Sequence, residues 1–125
     1  MQATERFGRY INLVTFRRDG SSVPTPVWYA ELGRKLYVFT DGTSYKVARL
    51  RRDARIRVAR CGAAGKVSGP WYDGSGRVVS DPDVEASAYR ALHEKYGWQM
   101  RLVDLGSRLA GRIGRRAILE LTLPD

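Results

Sequence analysis

The chemically most suggestive segment is 40–46, TDGTSYK, which joins a predicted strand to a predicted basic helix. The hydroxyl groups of Thr40 and Ser44, together with the ammonium group of Lys46, are donors suited to a phosphate or a carboxylate. The free N–H groups and the dipole of a helix start favour an anion at the same place. In the other interpretation, Ser44 only caps the helix and Lys46 only lies in solvent. The segment by itself leaves both interpretations open.

The charge of the chain favours the anion site. The 125 residues include 22 Lys and Arg against 13 Asp and Glu, which gives a net charge of +9. Such a surplus predicts an acidic partner, which is nucleic acid, an anionic membrane surface or a polyanionic small molecule. Five arginines follow the segment closely: Arg49, Arg51, Arg52, Arg55 and Arg57. Because these charges cluster around the predicted turn, a small polyanion is the preferred partner.

The sequence disfavours the other two partners. A nucleic-acid-binding barrel needs aromatic residues interleaved with basic ones on exposed strands. Here the aromatic residues crowd a proline-containing strand and the turns instead. No apolar stretch approaches the length of a membrane span. We therefore predict no nucleic-acid partner and no membrane partner.

Other reactive groups are scarce. Cys61 is the single cysteine and is predicted to be a small core residue; its isolation excludes an intramolecular disulfide and fits a reducing cytoplasm. The N-terminus has no apolar region typical of a secretion signal. His93 has no neighbours at metal-ligand or triad spacing, so we predict a polar helix-face residue and no metal site. Any difficult chemistry is therefore expected to belong to a bound cofactor.

Hydrophobic periodicity predicts a single α+β domain over residues 1–125. The predicted strands are 10–16, 23–30, 35–39, 55–61, two short pieces at 66–68 and 77–79, and 115–123. The predicted helices are 44–52 and 83–96, with a weaker helix or irregular connection over 100–113. Pro24 and Pro26 predict that one side of the second strand is free of partners or bulged. About six short strands, with a helix after the third and a helix before the last, predict a small antiparallel barrel.

Several local motifs accompany this order of elements. They are Leu13–Phe16 with Asp19-Gly20, Pro24–Tyr29, Leu36–Thr40, Ser44–Lys46, Leu50–Arg55, Gly74–Val78 and Lys95–Trp98. Together, over Tyr10 to Leu123, they resemble the flavin- and deazaflavin-dependent oxidoreductase superfamily, which shares the split β-barrel of pyridoxamine-5′-phosphate oxidase. The resemblance implies a six-stranded antiparallel split β-barrel of the FMN-binding type. It also implies a homodimer with the cofactor at the subunit interface.

The resemblance further implies where the cofactor binds. Its phosphate is expected at Thr40, Ser44 and Lys46, with Tyr45 and Arg49 beside them. Its ring system is expected along the backbone of four residues in the second strand: Thr25, Pro26, Val27 and Trp28. Side chains that are candidates for a wall against the ring are Trp28, Tyr29, Trp71 and Tyr72. Trp98 is predicted to lie in the core.

Tyr45 distinguishes between two cofactors. Members that bind flavin mononucleotide (FMN) usually carry an Arg-Lys pair at the position of Tyr45-Lys46, so this chain more closely resembles the branch that uses the deazaflavin coenzyme F420. F420 carries a phosphate and a glutamate tail, and a chain of net charge +9 attracts such a polyanion. The resemblance implies a reductase that transfers a hydride from F420 to a conjugated, electron-poor small molecule. An FMN-binding protein, or a cofactor-storage protein without turnover, is the alternative, and no catalytic residue is assigned.

Overall fold

The computed structural model describes residues 7–111 and 113–124, and this part of the chain forms one antiparallel sheet with three helices. The strands are β1 (Tyr10–Phe16), β2 (Ser22–Val27), β3 (Ala30–Leu32), β4 (Lys35–Asp41), β5 (Arg55–Cys61), β6 (Tyr72–Val78) and β7 (Arg116–Thr122). The helices are α1 (Tyr45–Arg52), α2 (Pro82–Tyr96) and α3 (Trp98–Leu109). A helix follows β4 and two helices precede β7, so the predicted α+β class is confirmed. Within the described ranges, no helix has both the length and the apolar character needed to cross a membrane.

The two edges of the sheet lie close to each other. The strand order is β2-β1-β5-β6-β7-β4-β3, so β2 and β3 are the edge strands. Only Trp28 and Tyr29 separate these two strands, and an extended chain advances at most about 3.6 Å per residue. The sheet therefore curls until its edges approach each other, which gives a half-barrel. The described residues form seven strands rather than six, and the predicted strand 23–30 changes edge at Trp28 and divides into β2 and β3.

Strand β6 corrects the prediction for the segment that precedes α2. The sequence predicts short strands at 66–68 and 77–79, whereas the structure has one strand over Tyr72–Val78. A Cβ atom at Gly74 would lie 2.4 Å from the carbonyl oxygen of Thr122, so this glycine allows β6 and β7 to pack closely. A glycine-rich segment that is typical of a loop is therefore a central strand of the sheet.

Two hydrophobic cores form on opposite faces of the sheet. The core inside the curled sheet contains Ile11, Leu13, Val38, Ile56, Val58, Leu119 and Leu121. Helix α1 packs onto this core through Val47 and Leu50. The outer core, beneath α2, contains Tyr37, Ala88, Leu92, Met100 and Ile118. The last strand alternates between the two cores, because Leu119 and Ile118 lie in different cores.

Two predictions about core residues have different outcomes. Cys61 is buried, and burial raises the pKa of its thiol, as expected for a small core residue. Trp98 is 69% exposed, so its predicted place in the core is wrong. The cause is the regular helix α3, which replaces the weak or irregular connection predicted over 100–113. Its buried face carries Met100, and Trp98 lies on the other side.

Glu120 is a buried carboxylate that links three strands. It lies on β7, where it accepts hydrogen bonds from Arg77 Nε at 2.8 Å and from the Tyr37 hydroxyl at 2.7 Å. Lys35 Nζ lies 3.3 Å from the same carboxylate. Burial alone would raise the pKa of Glu120, but these three hydrogen bonds outweigh it and hold the pKa below the ordinary value of 4.5. Burial and the bond to Glu120 raise the pKa of Tyr37 to about 12.

We expect Glu120→Gln to lower the free energy of unfolding at pH 7. The loss should be about 1–2 kcal/mol, toward the low end for charge-assisted bonds, because Lys35 and Arg77 are half exposed. Since folding lowers the pKa of Glu120, its contribution is complete above pH 4.5 and disappears as the pH falls through the folded-state pKa. Urea denaturation of both proteins between pH 7 and pH 3 measures this difference. A difference in the free energy of unfolding that stays constant over that pH range would contradict the prediction.

Candidate functional site

The turn between β4 and α1 is fixed by its own side chains. Asp41 Oδ1 accepts hydrogen bonds from the N–H of Thr43 at 2.8 Å and from its hydroxyl at 2.7 Å. The N–H of Gly42 donates to the carbonyl of Arg115 at 2.6 Å. A Cβ atom at Gly42 would lie 2.6 Å from the same oxygen, so the turn requires glycine there. The start of α1 is thereby held against the segment that leads into β7.

The hydroxyl groups of Thr40 and Ser44 meet at the start of α1. Ser44 is the N-cap, and its Oγ accepts from the N–H of Val47 at 3.4 Å. Thr40 Oγ1 lies 3.4 Å from the same oxygen. Both distances are long for hydrogen bonds that involve a hydroxyl group, so these groups are weakly engaged. No acidic residue lies in the first turn of α1, and the capping role of Ser44 leaves the other N–H groups of that turn available.

Lys46 is a half-buried cation at this helix start. Burial and, secondarily, the charge of Arg49 lower the pKa of its ammonium group. Within the part of the chain that the structure describes, no carboxylate or hydrogen-bond acceptor is paired with Lys46. Partial burial of a cation without a counter-ion is unfavourable, so an anion beside Lys46 would stabilise this arrangement. Lys46 is thus partly exposed rather than fully solvated.

A basic cleft of about 650 Å³ lies between the β1–β2 turn and α1. Its lining residues are Arg17, Arg18, Asp19, Tyr45, Ala48, Arg49 and Arg52. Arg49 Nη1 donates to Thr15 Oγ1 at 3.3 Å, and its guanidinium group lies 5.8 Å from the centre of the Tyr45 ring. Four arginines face a single aspartate in this cleft, which makes it suitable for a ligand with several negative charges.

The predicted arginine cluster is only partly assembled in the cleft. Of its five members, Arg49 and Arg52 line the cleft. Arg55 instead pairs with Asp53 at 2.8 Å, and Arg57 pairs with Asp73 at 3.0 Å. The other two arginines of the cleft are Arg17 and Arg18, which the sequence analysis did not assign to this site. The Asp19-Gly20 pair was the available signal, because such a pair favours a hairpin turn, and this turn brings the residues before it toward the element that covers β1.

The predicted ring-binding strand lies at the edge of the sheet. β2 pairs only with β1, and Pro24 and Pro26 are exposed, so the predicted free side of this strand is confirmed. Thr25 and Val27, which alternate with these prolines, are partly buried. Trp28 stacks on Tyr96, with ring centres 4.3 Å apart and planes 8° from parallel.

Trp28 connects this strand with the turn between β4 and α1. Its ring centre lies 6.4 Å from that of Phe39, which directly precedes Thr40 in β4. Of the other candidate wall residues, Tyr29 is fully buried in the inner core. Trp71 contacts Arg57, and Tyr72 packs edge-on against Phe7, so neither lines the cleft.

A second polar cluster was missed by sequence reasoning. His93 Nε2 lies 2.9 Å from Asp104 Oδ2, and Arg116 Nη1 lies 2.6 Å from Asp104 Oδ1. Arg116 is also anchored by Ser107 Oγ at 2.7 Å, and it forms part of the wall of a 150 Å³ cavity next to Thr40. His93 therefore links α2 to α3 through its contact with Asp104. No local motif indicates this contact, since the partners of His93 lie on separate elements.

In residues 7–111 and 113–124, no three His, Cys, Asp or Glu side chains are grouped for a metal ion.

The curled antiparallel sheet, two helices before its last strand and a basic turn after β4 define a split-barrel protein. Sequence comparison matches the family described as pyridoxamine 5′-phosphate oxidase over residues 7–124, so the chain belongs to this family. A comparison with curated protein sequences finds no significant match.

Solved structures share the fold. The conserved hypothetical protein Rv2991 from Mycobacterium tuberculosis has a TM-score of 0.72 at 21% identity, covering 100% of this chain and 82% of that chain. HutZ, the heme storage protein from Vibrio cholerae, has a TM-score of 0.71 at 9% identity, covering 97% and 84%. A structure named F420 reductase has a TM-score of 0.62 at 17% identity, covering 98% and 90%. At these identities the likeness concerns the fold alone.

Proposed function

We propose that this protein is an F420-dependent oxidoreductase. The observation that carries the proposal is Lys46, a half-buried ammonium group without a counter-ion at the start of a basic helix. The hydroxyl groups of Thr40 and Ser44 lie 3.4 Å apart beside this helix start, and the arginine cleft opens next to it. A phosphate attached to an acidic tail fits this arrangement, because each part meets its own group of donors.

Different groups of residues would bind the phosphate, the glutamate tail and the ring of F420. Lys46, Thr40 and Ser44 would hold the phosphate, with the N–H groups of α1. The arginines of the cleft would neutralise the glutamate tail, and Tyr45, 80% exposed in the cleft, would pack beside it. The backbone of Thr25 to Trp28 would orient the ring. When bound, F420 supplies the hydride, and the chain contributes position and charge to the reaction with a conjugated, electron-poor small molecule.

We also propose a homodimer with the cofactor between the subunits. The predicted ring-binding strand β2 lies at the open edge of the half-barrel, and its exposed residues Pro24 and Pro26 leave that side uncovered. A flat ring placed there would be exposed in a single chain. A second subunit would shield it from water, which hydride transfer favours.

The second candidate is a protein that stores or carries a cofactor without turnover. It is supported by the shared fold with HutZ, whose name is that of a heme storage protein. The cofactor in that case would be F420 or FMN, because the turn between β4 and α1 is suited to the phosphate group of either cofactor. The absence of an assigned catalytic residue agrees with both candidates, since hydride transfer from a bound cofactor needs none.

Fluorescence and absorbance titrations with F420 and FMN test the proposal. We expect tighter binding of F420, because Tyr45 stands where FMN-binding members usually carry an arginine, and because the cleft contains four arginines for the tail. F420 with a shorter glutamate tail should bind more weakly than F420 with a long one. Tighter binding of FMN would exclude the F420 assignment. Tight binding of F420, with no oxidation of its reduced form by a panel of conjugated acceptors, would favour storage.

A further inference from the structure

One face of α3 is apolar and exposed. Four side chains form this α3 stripe: Trp98, Leu102, Leu105 and Leu109, which are 69%, 57%, 52% and 80% exposed. Their spacings of four, three and four residues place them on a single side of the helix. Monomeric soluble proteins rarely expose a continuous apolar surface of this kind unless it binds something.

The opposite face of α3 is anchored to the protein. Met100 is fully buried there. Asp104 binds both His93 and Arg116, and Ser107 Oγ accepts a hydrogen bond from Arg116 at 2.7 Å. The helix therefore cannot rotate to bury the α3 stripe without losing these contacts. The stripe faces away from the protein as a fixed surface.

The charges next to the α3 stripe are positive. Arg101 and Arg108 are exposed, and their helical spacing places both on one flank of the stripe. On the other flank, the guanidinium group of Arg9 donates to the side chain of Gln99. Asp104 is the one acidic residue of α3, and it is engaged by His93 and Arg116. The surface that covers this stripe should therefore carry negative charge.

A second copy of the chain fits the α3 stripe poorly. Antiparallel pairing of two such helices would bring Arg101 and Arg108 of one copy beside the same arginines of the other. One helix stripe is also small compared with the ~800 Å² per partner of a standard interface.

From this face we infer that the protein binds peripherally to anionic lipid surfaces through α3. The helix would lie in the plane of the surface, with the α3 stripe at the acyl boundary and Arg101 and Arg108 on the headgroups. The turn between β4 and α1 and the basic cleft do not include residues of α3, so binding to a lipid surface does not depend on the proposed cofactor. Sequence reasoning predicted no membrane partner from the lack of a spanning segment, and a helix lying on the surface needs none.

Cosedimentation of the whole protein with lipid vesicles tests the inference. Vesicles of equal phosphatidylglycerol and phosphatidylcholine are compared with vesicles of phosphatidylcholine alone. The double variant Leu102→Ser/Leu109→Ser should lower partitioning into the anionic vesicles at least about tenfold, and Arg101→Gln/Arg108→Gln about ten- to thirtyfold. The matched control is Leu32→Ser, which removes an exposed leucine from β3 and should bind like the wild type.

Each outcome decides the inference. All these positions are exposed, so circular dichroism should show an unchanged fold, and Trp98→Ser gives an independent second variant of the stripe. Binding that is lost in both stripe variants supports the inference. No binding of the wild type to anionic vesicles overturns it, as does binding that the leucine changes leave intact. If light scattering shows that the stripe variants convert a dimer into monomers while vesicle binding is absent, the face belongs to a second copy.

Discussion

Lys46→Ala is expected to weaken the binding of coenzyme F420 about ten- to hundredfold. The variant removes a charge-assisted hydrogen bond to the phosphate, and such bonds contribute about 1.5–3 kcal/mol. The effect should be at the upper end because Lys46 is half-buried and has no competing carboxylate in the described part of the chain. Fluorescence titration at low salt measures it. The difference from the wild type should shrink at high salt, since screening weakens the same attraction.

Two further variants separate this role from a general loss of charge. Lys66→Ala removes an equal charge from the exposed loop after β5, and it should bind F420 like the wild type. Ser44→Ala should cost less than Lys46→Ala, because a neutral hydroxyl contributes less than an ammonium group. If Lys46→Ala binds F420 as tightly as the wild type at low salt, the phosphate is held elsewhere and the proposed site is wrong.

Gly42→Ala is expected to lower the free energy of unfolding by about 1–3 kcal/mol, the usual cost of forcing an atom into a packed site. Its Cβ would lie 2.6 Å from the carbonyl oxygen of Arg115, and neither backbone can move without breaking their hydrogen bond. Because the same turn begins α1, binding of F420 should weaken as well. Urea denaturation and the same titration measure the two effects.

Gly106→Ala is the matched control for this change. Gly106 lies inside α3, and nothing lies within 4 Å of a Cβ atom there. Alanine should therefore raise the free energy of unfolding by about 0.5–1 kcal/mol, because it costs less conformational entropy in a helix. A Gly42→Ala protein as stable as the wild type would show that the turn is not locked against Arg115.

Elements with a clear hydrophobic period could be predicted from the sequence. The limits of β1 and β5 agree with the prediction, and α2 ends at Tyr96 as predicted. β1 is an apolar run that is buried along most of its length, and in β5 Ile56 and Val58 are buried while Arg55 and Arg57 are exposed, so local pattern carries the information. The basic turn at Ser44 and Lys46 is also local, because its parts are consecutive in sequence.

The features that escaped prediction depend on distant contacts. Gly74 belongs to a strand because Thr122 packs against it, and nothing near Gly74 in the sequence shows this. His93 acquires a role only when α3 brings Asp104 to within 2.9 Å. Arg17 and Arg18 reach the cleft because the hairpin turns beside α1. In each case the partner is supplied by tertiary packing, which periodicity and spacing do not encode.

The two edges of the curled sheet have a consequence for association between chains. An exposed strand edge is a template on which another chain can add a strand and start an aggregate. Here one edge is β2, in which Pro24 and Pro26 have no N–H to offer, and the other is β3, which is three residues long. Neither edge supports an extended ladder, so growth of the sheet from molecule to molecule is blocked at both ends. Any specific association of this protein must therefore use side-chain surfaces and not shared strands.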